Sequence, residues 1–168
     1  MAVTGVRASL DIDVAAIADI YSHYVRTALS TFEIESPDVD EIARRRADVL
    51  SRGLPYLVVE VDGAVAAYAY ASPYRPRPAY RFTVEDSIYV HPAHTRKGLG
   101  GRLLGALIES SEAAGCRQMV AIIGDTGNAA SIGLHQAFGF RHVGVLEKVG
   151  FKFGRWVDTV LMQRPLGT

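Results

Sequence analysis

The fold is decided by Thr83-Val84-Glu85-Asp86-Ser87-Ile88-Tyr89-Val90, a short His91–Thr95 link, and Arg96-Lys97-Gly98-Leu99-Gly100-Gly101 with the run on to Ala114. Phe82, Val84, Ile88 and Val90 supply the β-branched and aromatic content of a strand, which Pro92 ends. After the glycines, Leu99, Leu103, Leu107 and Ala114 fall on one helical stripe, and Gly115 sits where a helix C′ residue belongs. A glycine turn feeding a helix start presents unpaired N–H groups and the positive end of the helix dipole, a combination that binds phosphate. Arg96 and Lys97 add charge, so the turn reads as a pyrophosphate corner. Without its flanking strand and helix, the same tetrapeptide would read only as a flexible turn.

Spacing narrows the ligand. A P-loop needs Gly-x4-Gly-Lys-Ser/Thr, whereas Lys97 precedes the glycines. A dinucleotide fingerprint needs a third glycine where Leu103 stands, and no five-residue loop between strand and turn. Both are excluded.

At 168 residues, 49% hydrophobic and 21% charged, the chain reads as one domain spanning 1–168 that buries a real core. Eighteen basic residues balance eighteen acidic ones, which gives no broad electrostatic case for nucleic acid or an anionic membrane. The lone Cys116 rules out an internal disulfide and reads as packed at the start of a buried strand. With no signal-like N-terminus and no apolar run near 18 residues, the expected location is the cytoplasm.

Outward from the central unit, Val3 to Ser9 reads as a first strand. Asp13 caps a helix with Val14, Ile17, Tyr21 and Tyr24 at helical spacing. Leu29 to Glu35 is a connecting loop. A second helix starts at Ser36-Pro37 with Pro at N1; Arg44, Arg45 and Arg46 point different ways around it and read as solvated. Tyr56 to Val61 and Ala64 to Ala71 form a hairpin about Asp62-Gly63. Ser72 to Arg81 holds three prolines and three arginines, a stiff cationic loop delivered to the central strand. Guanidinium forks at Arg75, Arg77 and Arg81 suit an anionic substrate, against the alternative of a solvated connector.

Downstream, Gln118 to Ile123 is a continuous apolar strand. On the next helix Asn128, Ser131 and His135 lie within about 60° of one another. Strands Arg141–Val149 and Arg155–Gln163 close the chain. The order βααββ, βα, βα, ββ requires parallel pairing around the central unit and antiparallel pairing in the hairpins. The fold class is therefore α/β: a mostly antiparallel mixed sheet with a central parallel pair and helices on both faces.

The turn resembles motif A of the GNAT superfamily of N-acetyltransferases, Gln/Arg-x-x-Gly-x-Gly/Ala, with Thr95 departing from its first position. Asn128-Ala129-Ala130-Ser131 with Leu134-His135 resembles motif B. These motifs, Thr83 to Val90, Phe153-Gly154-Arg155-Trp156 and Gln163-Arg164 together resemble the phosphinothricin N-acetyltransferase branch, which includes enzymes acting on methionine sulfoximine and sulfone.

The resemblance implies acetyl-CoA as co-substrate, held by Ile88, Tyr89, Val90, Arg96, Lys97, Gly98, Leu99, Gly100, Gly101, Asn128 and Ser131. It implies a small amino acid analogue as acceptor, in a pocket of Phe32, Arg75, Pro76, Arg77, Arg81, Glu85, Asp86 and Ser87. It also implies a homodimer, with Lys152, Phe153 and Trp156 reaching the partner's pocket or else packing within their own chain. An ammonium must lose a proton before it attacks a thioester, and Glu85, on the strand beside the expected thioester, is assigned as general base, directly or through water, against the alternative of a rim carboxylate paired with a loop arginine. Burial and the like charge of Asp86 would raise its pKa. The leaving thiolate, of intrinsic pKa about 8.5 by analogy with cysteine, is protonated or positioned by His135, unless that ring only bonds within its helix. His91 and His94 lack further ligands nearby, so no metal is expected. Two other readings stay open: an acetyltransferase for another amine, such as a protein N-terminus or polyamine, and a non-catalytic acyl-CoA-binding module.

Overall fold

Asp62 and Gly63 take φ of 51° and 81°, the left-handed turn that joins β2 (Tyr56–Val61) to β3 (Ala64–Pro73) as a hairpin. The computed structural model describes residues 1–167. Around the hairpin the order is β1 (Arg7–Ala8), α1 (Val14–Thr27), α2 (Val39–Ser51), β2, β3, β4 (Thr83–Val90), α3 (Leu99–Ala113), β5 (Gln118–Gly124), α4 (Ala129–Ala137), β6 (Arg141–Lys152) and β7 (Arg155–Pro165). One seven-stranded sheet runs β1-β2-β3-β4-β5-β7-β6. Its single parallel pair among the described residues is β4 with β5, and every other neighbour is antiparallel. The expected architecture is the observed one.

Strand alternation feeds two cores. Leu99, Leu103, Leu104 and Leu107 of α3 pack with Ala67, Val84, Met119 and Met162 on one face. Ile17, Tyr21 and Ile42 of α1 and α2 pack with Tyr56, Val58 and Tyr68 on the other. On β4, Val84, Ile88 and Val90 therefore face α3, while Tyr89 faces α1. By the same period, Glu85 and Ser87 fall on the α1 side and Asp86 on the α3 side.

The parallel pairing is brief. Thr83, Val84 and Glu85 pair with Gln118, Met119 and Val120, and beyond them the two strands diverge. The opening has a direction. Tyr74 donates its N–H to the Thr83 carbonyl, and His91 donates to the Ala66 carbonyl. Odd-numbered residues of β4 thus turn their backbone groups to β3, and even-numbered ones turn theirs toward β5. Ile88 and Val90 consequently direct N–H and C=O groups into the gap.

Local expectations change in four places. The first strand shrinks to Arg7–Ala8, with Val3 making only an isolated bridge to Val61. Asp13 caps no α-helix N–H: Arg7 donates to both its carboxylate oxygens at 2.7 and 2.9 Å, and the Leu10 N–H adds a third bond. Helix α2 begins after Asp38, whose carboxylate accepts from the Glu41 N–H at 2.8 Å, two residues later than Ser36-Pro37 implied. Arg46 is buried, donating to Ser9 Oγ, the Ser9 carbonyl and Asp11, while Arg45 forks onto Glu33. These two arginines are structural ties between α2 and the chain before it. Cys116 is buried beside β5, as read from its position.

Candidate active site

Where β4 and β5 part, a cleft of about 840 Å³ opens through the sheet. That volume suits a sizeable ligand, at the upper end of the range for small-molecule pockets. Its walls are Glu85 to Val90 of β4, Ala121 to Gly124 of β5, the α4 residues Asn128, Ala130, Ser131, Leu134 and His135, and the strap Ala28 to Phe32 that follows α1. Thr95, Arg96 and Gly100 line the end nearest α3.

At that end the backbone is built for an anion. Gly98, the residue before α3, has φ of +74°, a left-handed conformation that costs glycine nothing. Arg102 makes the first bond of the turn, donating to the Gly98 carbonyl at 3.2 Å. The N–H groups of Leu99, Gly100 and Gly101 precede that bond and point out of the helix end. Lys97 is tied down, its ammonium reaching the Ala93 carbonyl at 3.2 Å and His94 Nδ1 at 3.1 Å. Lys97, Gly98, Leu99 and Gly101 support the turn without lining the cleft; Thr95, the residue that departs from the motif, does line it.

Glu85 enters from the α1 side. Burial pushes its carboxyl up to about 7, the neighbouring charge of Asp86 pushes the same way, and Arg75 opposes them. A carboxyl poised near neutrality in a cleft is equipped to take a proton at physiological pH. Asp86 enters from the opposite face, where its Oδ2 lies 2.8 Å from His135 Nε2. His135 is held from behind by the Ser131 carbonyl, 2.7 Å from Nδ1. That contact pairs the expected polar stripe with a strand 49 residues away. Asn128 caps α4, its side-chain oxygen accepting from the Ser131 N–H at 3.2 Å.

Of the expected acceptor-binding residues, Phe32, Glu85, Asp86 and Ser87 line the cleft, whereas Arg75, Pro76, Arg77 and Arg81 do not. Arg75 stands over the Tyr74 ring and Arg81 over the Phe82 ring, at 5.1 and 4.4 Å. Among the cofactor candidates on β4, Ile88 and Val90 direct backbone groups into the gap, and Tyr89 turns its own toward Tyr68 on β3.

Several wall residues escaped sequence reading. Tyr24, legible only as core on its helical stripe, donates its hydroxyl to the Val90 carbonyl inside the gap. The strap residues Ser30 and Thr31 carried no signal beyond small polar loop. Lys152 is buried inside its own chain, its ammonium donating to the Ala28 and Thr31 carbonyls, each at 2.7 Å. Among the described residues no group of three or more His, Cys, Asp or Glu side chains gathers as metal ligands would.

The cleft thus joins a strand pair that opens, a glycine-turn helix start and a carboxyl raised toward neutrality. The pattern of the acetyltransferase (GNAT) family matches residues 17–140, and the chain belongs to that family of enzymes, which use acetyl-CoA as acetyl donor. A phosphinothricin N-acetyltransferase of Alcaligenes faecalis is 56% identical over 161 residues, covering 96% of this chain and 82% of that protein. An L-methionine sulfoximine/L-methionine sulfone acetyltransferase of Salmonella typhimurium is 43% identical over 155 residues, covering 92% of this chain and 90% of that protein. The crystal structure of a phosphinothricin acetyltransferase from Sinorhizobium meliloti in complex with acetyl-CoA superposes with a TM-score of 0.95 at 44% identity, covering 99% and 90% of the two chains. No helix of the described residues is long and apolar enough to cross a membrane.

Proposed function

We propose that the chain moves the acetyl group of acetyl-CoA to the α-amine of a small amino acid analogue of the phosphinothricin, methionine sulfoximine or methionine sulfone kind, with Glu85 as general base. The observation that carries this reading is the Glu85 carboxyl, standing in the cleft at the last rung before β4 and β5 part, where burial and Asp86 raise it toward about 7. The names of the relatives at 56% and 43% identity support the acceptor class.

In this reading the cofactor lies along the α3 face. Its pyrophosphate sits on the Leu99 to Gly101 N–H groups beside Arg96, and its pantetheine arm runs into the gap past Asn128. The Ile88 and Val90 N–H groups are the donors available to the thioester carbonyl as it becomes an oxyanion. The amine approaches from the α1 face, between Phe32 and Ser87, where Glu85 takes its proton. Attack on the carbonyl carbon gives a tetrahedral adduct, and loss of the thiolate leaves the amide. Arg75, outside the cleft, acts on Glu85 at a distance and opposes the effect of burial. The chain acts in the cytoplasm as a homodimer joined through the β6–β7 face.

The test is release of free thiol from acetyl-CoA across a panel of amino acid analogues, polyamines and peptide N-termini, with wild type and Glu85→Gln. Turnover confined to the amino acid analogues, with kcat lowered roughly 10²- to 10⁴-fold in Glu85→Gln, is the expected result. Wild type that binds acetyl-CoA and releases no thiol with any amine would sink the enzyme reading. Preference for polyamines or peptides would replace the acceptor class.

A further inference from the structure

Asp86 and His135 meet on the α3 face in a way that fixes a proton count. The Ser131 carbonyl oxygen, 2.7 Å from His135 Nδ1, carries no proton, so Nδ1 holds one. Nε2 then faces Asp86 Oδ2 at 2.8 Å. Two bare lone pairs do not meet at that distance, so a second proton lies between ring and carboxylate. Whether written as imidazolium and carboxylate or as imidazole and carboxylic acid, the pair holds that one shared proton.

The surroundings keep it there. The Phe140 ring stands edge-on to His135 at 4.9 Å, and the side chains of His135 and Asp86 are 5% and 2% exposed. Asp86 raises His135 as the Ser131 carbonyl does, against burial, the largest influence, which lowers it. Both residues line the cleft, and the second oxygen, Asp86 Oδ1, is buried with no hydrogen-bond partner. Glu85, the acidic neighbour of Asp86 on β4, reaches the same cleft from the other side of the sheet.

We propose that Asp86 is a positioning residue for His135: it holds the ring with a proton at Nε2, and that proton passes to the sulfur of the departing CoA. This rests on the acetyl-transfer reading with His135 as the acid for the thiolate, and adds Asp86 as the group that keeps the proton in place. When the tetrahedral adduct collapses, the C–S bond breaks, sulfur leaves with the electron pair, and the proton from the Nε2–Oδ2 contact forms the S–H bond. The acceptor nitrogen sheds its two extra protons through Glu85 and water, and one proton from solvent refills the pair. Ammonium plus thioester becomes amide, thiol and one released proton. The unpartnered Oδ1 is an acceptor for the S–H that the transfer creates.

The experiment compares wild type with Asp86→Asn, His135→Gln and the double variant, after checking that each melts cooperatively and binds acetyl-CoA. The expected kcat loss is about tenfold or more in each single variant, the low end for acid–base groups because a thiolate leaves readily. The acetyl-CoA KM should stay within about threefold, and the double variant should be no worse than His135→Gln, as for two groups acting as one. In the pH profile of kcat the alkaline fall moves to lower pH in Asp86→Asn. NMR of the ring in the free protein should place the His135 titration at lower pH in that variant. Should Asp86→Asn not fold, Asp86→Ser removes the same carboxylate and is read the same way. An unmoved His135 titration, or a double variant that loses the product of the two single losses, would overturn the role of Asp86. The NMR measurement needs no turnover, so an inactive wild type would sink the acetyl-transfer reading separately.

Discussion

Glu85 pays for its reactivity in stability. Its folded-state pKa of about 7 stands above the roughly 4.3 of an unfolded chain, so the native state keeps the proton to higher pH than the unfolded one. Stability from this residue is therefore whole below about pH 4, falls as pH climbs toward 7 and stays low above it. Glu85→Gln should unfold at higher denaturant than wild type at pH 8, by on the order of 2 kcal/mol, and match it at pH 4. Equal midpoints at pH 8 would mean the carboxyl is freely solvated. In wild type the acidic limb of kcat should rise through about pH 7. At this scale the sequence was informative where chemistry is local: Glu85 beside Asp86 implied a raised base, and a helical period implied the stripe Asn128, Ser131 and His135. The Asp86–His135 contact was not legible, because it joins residues 49 apart through two elements whose packing no spacing rule supplies.

Among elements, the strap from Ala28 to Phe32 is held from outside itself. Lys152 binds two of its carbonyls from the end of β6. Gly124 lets the Leu29 carbonyl approach β5, and Gly150 makes room for the Phe32 ring; a Cβ at either position would collide with the strap. Burial pulls the Lys152 ammonium below its ordinary value, while its bonds to the two carbonyls hold it in place. Lys152→Met should cost about 2 kcal/mol of stability. It should raise the acceptor KM several-fold while leaving the acetyl-CoA KM near wild type, and Gly124→Ala should give the same split in steady-state kinetics. A rise confined to the acetyl-CoA KM would assign the strap to the cofactor instead. The strap looked like a plain loop in sequence, since what orders it lies 121 to 124 residues downstream. Arg46 misled for a related reason: an arginine triplet on a helix reads as solvated until the Ser9 backbone is brought beneath it.

Across the whole molecule, the element order and the mixed sheet were readable because hydrophobic period, the Asp-Gly turn and the crossover rule each constrain topology independently. The sheet's far edge carries another message. Val143, Val145, Leu146, Val149, Phe151, Phe153 and Trp156 on and between β6 and β7 are exposed, with Trp156 at 63%. Exposed apolar side chains along an edge strand invite pairing. Sedimentation of wild type should give twice the chain mass, and Phe151→Asp with Trp156→Asp should give a folded monomer; a monomeric wild type at micromolar concentration would refute the homodimer.

The parting of β4 and β5 matters to mechanics as well as chemistry. Three residue pairs join the plate β1–β4 to the plate β5–β7, and in the proposed reading the pantetheine arm of acetyl-CoA would fill the gap beyond them. In the empty protein the amides of Ile88 and Val90 should exchange with deuterium readily, while those of Ser87 and Tyr89, turned to β3, should exchange slowly. Saturating acetyl-CoA should slow the first pair. At a hundred times its Kd it should also raise global stability by about 2.7 kcal/mol. The donor of the acetyl group would then double as a strut, and the enzyme would be stiffest at the moment it is loaded.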